Sequence, residues 1–158
     1  MDIGLQTRRE FFVRAAQTGA VVAFSGVLSS ILAACGGSGN NPGDVPTLPT
    51  IQGTVTNNTI TISTASGSPI AAVGSAALIQ YSNGYLLVAH TATSTFSVLS
   101  GICTHQGCIV NGFSAGIFSC PCHGSEFDLN GGVIHGPATA PLQKFASQVA
   151  NNQLVITV

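Results

Sequence analysis

The 158-residue chain carries 4 basic and 5 acidic side chains, a formal net charge of −1. That balance offers no basic surface for nucleic acid. Scarce Glu, Lys and Arg beside 19 glycines favour short strands and tight turns over a large α/β enzyme.

MDIGLQTRREFFVRAAQTGAVVAFSGVLSSILAAC comes first. Arg8 and Arg9 stand between Thr7 and the pair Phe11 and Phe12, and a weakly apolar stretch runs from Ala15 to Ala34, interrupted by Gln17, Thr18, Ser25, Ser29 and Ser30. This is the pattern of an export signal, not of a packed helix. TRREFF resembles the core of a bacterial twin-arginine signal, which implies export of the folded protein with any cofactor already inserted. LAAC, ending at Cys35, resembles a lipoprotein lipobox, which implies cleavage before Cys35 and its acylation. Two other readings compete. One is an uncleaved transmembrane anchor, because twenty residues of about 1.5 Å rise just cross a ~30 Å core. The other is a cytoplasmic protein with an apolar N-terminal helix. Residues 1–34 are expected to be a signal or anchor that places the rest outside the cytoplasmic membrane, on its outer face or in the periplasm.

Residues 35–50, CGGSGNNPGDVPTLPT, have no hydrophobic period and read as a Gly/Pro-rich linker. As a coil it would hold the domain roughly 20 Å from its anchor, and about 50 Å when fully extended. That permits swinging between two partners, although simple clearance explains such a linker equally well.

Residues 51–158 alternate and turn with a β period. IQGTV and TITIS flank Asn57-Asn58, and AALIQY and YLLVAH flank Ser82-Asn83-Gly84, both hairpin signals. TFSVLSGI leads into Cys103, GIFSC ends at Cys120, and LVITV follows Asn151-Asn152 as a final strand. The expected fold is all-β, a small antiparallel sandwich or barrel.

CTHQGC, residues 103–108, and CPCHGS, residues 120–125, each offer one cysteine–histidine pair and one spare cysteine. The pairs are Cys103 with His105 and Cys120 with His123; Cys108 and Cys122 are spare. Two loops joined by a hairpin can face each other at one end of a β domain, so four ligands could converge there. A structural Cys₂His₂ zinc site also fits this spacing. A two-disulfide scaffold leaves the histidines unexplained, and an exposed catalytic thiolate would oxidise in that compartment.

The two boxes resemble those of Rieske iron–sulfur domains, in the disulfide-containing branch typified by the iron–sulfur subunit of cytochrome bc complexes. VGSAALIQ, YLLVAH, FSVLSGICTHQGC and GGVIHGPATAPL extend the likeness over most of residues 65–158. The resemblance implies a [2Fe–2S] cluster with Cys103 and Cys120 on one iron and His105 and His123 on the other. It also implies a Cys108–Cys122 disulfide, which an oxidising compartment would preserve. Two neutral imidazoles in place of thiolates remove two negative charges and raise the potential, to ≈ −150 to +300 mV against about −400 mV for plant-type ferredoxins.

By the same resemblance Ser125 donates a hydrogen bond to a bridging sulfide, and residues 136–141, with Pro137 and Pro141, form a covering loop. Phe127 stands where high-potential members carry a tyrosine, so the expected potential lies below theirs and above ferredoxin-type Rieske proteins. Gln106 replaces an apolar residue common among quinol-oxidising members, which weakens direct quinol docking. His90 and His135 lack ligand spacing and read as packing or surface residues.

The implied function is a membrane-tethered electron-transfer protein whose partner is a cytochrome b or c or a catalytic oxidoreductase subunit, with quinol as a possible donor. It would be enzymatic only within a complex. Three settings compete: a quinol-oxidising bc-type complex, the small subunit of a periplasmic oxidoreductase such as an arsenite oxidase, and a stand-alone carrier. A Rieske oxygenase needs a second domain with a two-histidine-one-carboxylate iron site, which these residues do not supply.

Overall fold

The structure, a computed structural model, describes residues 45–158. Arg8, Arg9 and Cys35, and the signal, anchor and lipidation readings that rest on them, lie outside the described residues. Among the described residues no helix is long and apolar enough to cross a membrane.

The regular structure described is all β, as the turn-rich sequence leads one to expect. In chain order the strands are β1 (Thr50–Gln52), β2 (Val55–Thr56), β3 (Thr59–Ser63), β4 (Ala76–Tyr81), β5 (Gly84–Ala92) and β6 (Thr95–Ser100). They continue as β7 (Gly112–Ser114), β8 (Ile117–Ser119), β9 (Glu126–Phe127), β10 (Val133–His135), β11 (Ser147–Ala150) and β12 (Gln153–Thr157). Three four-stranded sheets result, ordered β1-β4-β5-β6, β10-β9-β8-β7 and β11-β12-β3-β2. Two tight hairpins turn on Asn57-Asn58 (φ 49° and 63°) and Asn151-Asn152 (φ 51° and 57°). Positive φ at both central residues is the twist-compatible hairpin turn, and asparagine tolerates it.

IQGTV does not act as one arm of a hairpin. Val55 and Thr56 pair antiparallel with β3, whereas Thr50–Gln52 pair parallel with β4. Gly53 lies between them, and its N–H donates to the Gln80 carbonyl (2.7 Å), drawing the chain from one sheet to the other. The segment just before β1, read from sequence as linker, is docked as well. Thr47 bridges Gly112, Leu48 N–H donates to the Asn111 carbonyl (2.7 Å), and Leu48 is buried. Flanking Pro46 and Pro49 hide this strand-like pairing from a periodicity argument, since proline normally marks a linker or a strand edge.

The first sheet is the middle layer. Along β4, Ala76 and Leu78 join one core, while Ala77 and Ile79 join the other. Along β5, Leu87 and Ala89 face the first core, Leu86 and Val88 the second. Side chains alternate faces along a strand. Both faces are therefore buried, which is why AALI and LLVA read as continuous apolar runs. The first core also holds Leu99, Val110, Phe118 and Phe127, together with Cys103 and Cys120. The second, built on Ile60, Ile62, Leu154 and Ile156, lies under the β11-β12-β3-β2 sheet.

The chain leaves β6 for the cysteine loops through Gly101, whose N–H donates to the Tyr85 carbonyl (2.8 Å). A Cβ at Gly101 would stand 2.7 Å from Tyr85 Cβ and 3.0 Å from its carbonyl carbon. Backbone, not a flexible side-chain end, would have to yield. We expect Gly101→Ala to lose about 1–3 kcal/mol of stability in urea denaturation and to loosen the loop carrying Cys103.

Candidate metal centre

Loop 1 follows β6 and loop 2 lies between β8 and β9. Both are built on one hydrogen-bonded frame. In loop 1, Cys103 N–H donates to the Cys108 carbonyl (2.8 Å) and Gly107 N–H to the Cys103 carbonyl (2.9 Å). In loop 2, Cys120 N–H donates to the Ser125 carbonyl (2.9 Å) and Gly124 N–H to the Cys120 carbonyl (3.0 Å). Gly107 and Gly124 each have φ 76°, a left-handed conformation that glycine adopts without strain. Each turn thus opens with a cysteine, closes on a glycine four residues later, and carries a histidine between them.

The frames bring the two halves together. Cys108 and Cys122 form a disulfide that ties loop 1 to loop 2. Cys103 and Cys120 are free thiols, buried to 3% and 2% exposure. The His105 and His123 rings meet edge to face with centroids 4.8 Å apart, and their Nδ1 atoms are 3.3 Å apart. His123 is exposed and His105 half-buried.

Burial pushes the Cys120 thiol above its ordinary pKa; the Cys122 N–H works against this, the adjoining Cys103 thiol adds to it, and the His123 N–H again opposes it. Burial disfavours the thiolate, whereas metal coordination deprotonates a thiol outright. Cys120 Sγ also lies within 4.8 Å of both disulfide sulfurs. Those two are bonded to each other and have no thiolate to offer. The free donors these loops bring together are therefore two thiol sulfurs and two imidazole nitrogens. That set matches the Cys₂His₂ ligation of a Rieske [2Fe–2S] centre, so the residues present fit the group.

A third loop, residues 136–141, is clasped to both. Ser125 Oγ, at 1% exposure, accepts the Ala138 N–H (3.0 Å), and Thr104 Oγ1 donates to the Ala140 carbonyl (2.6 Å). The Gly136–Pro137 peptide is cis, and Pro137 and Pro141 are exposed. Because Ser125 Oγ accepts from the backbone, its own proton is left to point elsewhere. The sequence singles out Ser125 and Pro137 but not Thr104, whose partner lies 36 residues away. Its only signal was a hydroxyl residue inside CTHQGC.

Gln106 is exposed on loop 1. Phe127 is fully buried in the core that holds Cys103 and Cys120. His90 stacks on Phe96 (centroids 4.2 Å), and its Nδ1 lies 3.1 Å from the Ile70 carbonyl, so it is a packing residue; His135 is on the surface. Loops 1 and 2 and residues 136–141 contain no Asp, Glu, Lys or Arg. The charged side chains of residues 45–158 are Glu126, Asp128 and Lys144. Asp128 is engaged by the Asn130 and Gly132 N–H groups (2.7 and 2.8 Å) in the turn after β9.

Residues 64–146 match the family model described as "Rieske [2Fe-2S] domain". The chain is similar to the cytochrome b6-f complex iron-sulfur subunit 1 of a Nostoc species, 36% identical over 89 residues, covering 54% of this chain and 50% of that protein. It is also similar to the cytochrome b6-f complex iron-sulfur subunit of Trichodesmium erythraeum, 40% identical over 75 residues, covering 46% and 41% of the two chains. The chain thus matches about half the length of these relatives or less. Among solved structures, the ferredoxin of carbazole 1,9a-dioxygenase from Nocardioides aromaticivorans superposes with TM-score 0.51 at 17% identity, covering 61% of this chain and 96% of that one, a likeness of fold alone.

Proposed function

The chain belongs to the Rieske [2Fe–2S] family, whose cofactor is one [2Fe–2S] cluster, and on that footing we propose that it is a one-electron relay between a donor and a cytochrome. In this reading Cys103 and Cys120 would hold one iron as thiolates, and His105 and His123 would hold the other through Nδ1. The single observation that supports it is the duplicated loop frame, in which Cys103 and Cys120 are buried and the Nδ1 atoms of His105 and His123 lie 3.3 Å apart. The bound cluster supplies reversible one-electron oxidation and reduction.

The chain's own residues do the rest. Burial of Cys103 and Cys120 keeps water from the sulfur side, and exposed His123 gives the partner a short path at the surface. Each Nε2–H would hold a proton whose affinity depends on the redox state, which suits a quinol that gives up an electron and a proton together. A tether in the residues before Thr47 would confine the domain to a membrane surface outside the cytoplasm, with Arg8 and Arg9 as the export signal and Cys35 as the lipid-bearing residue. The charge-free loops suit a partner recognised by shape and hydrogen bonds, without long-range steering. The second reading, a small subunit relaying electrons from a catalytic oxidoreductase such as an arsenite oxidase, is favoured by polar, exposed Gln106 where a quinol would meet the loop.

A redox titration at several pH values tests the proposal. The expected result is a single one-electron wave within the Rieske range of ≈ −150 to +300 mV. Its midpoint should fall with rising pH by up to about 59 mV per unit once an imidazole proton is lost on oxidation. A pH-independent midpoint would contradict quinol oxidation.

Two substitutions calibrate the tuning. Hydrogen bonds to cluster sulfurs favour the more negative reduced form. Ser125→Ala should lower the midpoint and Phe127→Tyr should raise it, each by roughly 40–90 mV if about 1–2 kcal/mol of a charge-assisted bond differs between redox states. The new phenol would be buried in the core that also holds Cys103 and Cys120. An unchanged or lowered midpoint in Phe127→Tyr would remove that residue from the tuning set.

A further inference from the structure

We propose that the four clustered cysteines form a thiol–disulfide relay, in which the buried Cys103/Cys120 dithiol exchanges with the Cys108–Cys122 disulfide whenever no cluster binds the buried pair. Cys120 Sγ lies within 4.8 Å of the sulfurs of both Cys108 and Cys122, and Cys103 is buried in the same core as Cys120. One buried sulfur therefore neighbours both sulfurs of the disulfide. Access differs sharply among them: Cys103 and Cys120 are buried, Cys108 is half-buried and Cys122 is exposed.

The exchange balances within the chain. The Cys120 thiolate attacks Cys108 Sγ; the 108–122 bond breaks, and Cys122 leaves as a thiolate that water can solvate. The Cys103 thiolate then attacks Cys120 Sγ and displaces Cys108. Two S–S bonds form and two break, the protons of Cys103 and Cys120 pass to Cys108 and Cys122, and no external oxidant is consumed. Such displacements are ordinary thiol–disulfide chemistry, and uncatalysed rearrangement takes minutes to hours.

The product still carries one bond between loop 1 and loop 2, now Cys103–Cys120, so the loops stay clasped. It has no thiolates for iron and displays a surface dithiol. A small-molecule or protein disulfide could then oxidise that dithiol and fix the metal-refusing form. The exchange rests on sulfur positions alone; protection by the cluster rests on the ligand assignment proposed above. Cluster insertion would thus act as the protecting group that directs oxidation to Cys108 and Cys122.

The test compares the full chain loaded with cluster and the same chain freed of iron anaerobically by a chelator. Both are held without added thiol, then unfolded in N-ethylmaleimide. Chymotrypsin cuts after Phe113 and Phe118 separate the loops, and peptide fragmentation locates the tags. In the iron-free chain, tags should move to Cys108 and Cys122, exceeding the loaded protein by roughly tenfold over hours, with Cys103 joined to Cys120. Among the four loop cysteines, tags confined to Cys103 and Cys120 at every time would overturn the relay, as would tags reaching Cys108 or Cys122 in Cys120→Ser. Equal tagging of Cys108 and Cys122 in loaded and iron-free protein would overturn the protection and, with it, the ligand assignment.

Discussion

Cys120→Ser should abolish cluster binding while leaving the domain folded. A serine hydroxyl does not ionise near neutral pH and cannot replace a thiolate on iron, so one of the four proposed ligands disappears. The fold has little reason to follow. The loop-2 frame uses the backbone N–H and carbonyl of residue 120, both kept by serine, and the Cys108–Cys122 disulfide does not involve it. Burying the smaller hydroxyl without a fixed partner costs about 1–3 kcal/mol, within the reserve of an ordinary domain. Iron per chain, measured by chelation after acid release, should fall more than about tenfold, the scale expected for losing a direct ligand when outer partners alone are worth 10–100-fold. Far-ultraviolet circular dichroism should remain that of a β protein. Iron content near that of the unsubstituted chain would remove Cys120 from the ligand set.

The second large effect is on stability. In Cys108→Ser/Cys122→Ser the cross-link between loops 1 and 2 is lost. The two cysteines are 14 residues apart, and closing a loop of that size is worth about 3 kcal/mol in the chain-entropy account. The loops carry few other restraints across their interface; the Ser125 and Thr104 clasps reach them only through residues 136–141. Cluster retention should therefore fail before the sheets do. On heating, visible absorbance should bleach roughly 10 °C or more below the unsubstituted protein, with the loss of β signal following at higher temperature. Coincident transitions at the unsubstituted temperature would show that the two loops hold without the bond.

The two turns of the candidate site were legible because their geometry is local. Cysteine, histidine and glycine at fixed offsets within six residues specify each turn, and a short hairpin joins the two turns. The Asn-Asn hairpins were legible for the same reason, since their positive φ is a property of the residues themselves. The burial of both faces of β4 and β5 was visible as the runs AALI and LLVA, although alternation alone does not say which layer covers which face. What escaped depends on distant partners. Parallel pairing of Thr50–Gln52 with β4 has no local signature, and Gly53 separates it from the hairpin it was grouped with. Thr47 and Leu48 sit between prolines, so a docked segment reads as a tether. Thr104 reaches Ala140 across a loop that only the folded chain brings near. These misses bear on function as well, because docking from Thr47 onward shortens any free tether to the residues before it.

The most direct test of the central claim is pulsed EPR of the dithionite-reduced chain labelled with ¹⁵N-histidine, with iron and acid-labile sulfide assayed on the same sample. Two irons and two sulfides per chain are expected, with a signal coupled to two histidine nitrogens; a chain lacking His105 or His123 should lose its iron as Cys120→Ser does. Zinc in place of iron, or an iron–sulfur signal without histidine coupling, would contradict the claim.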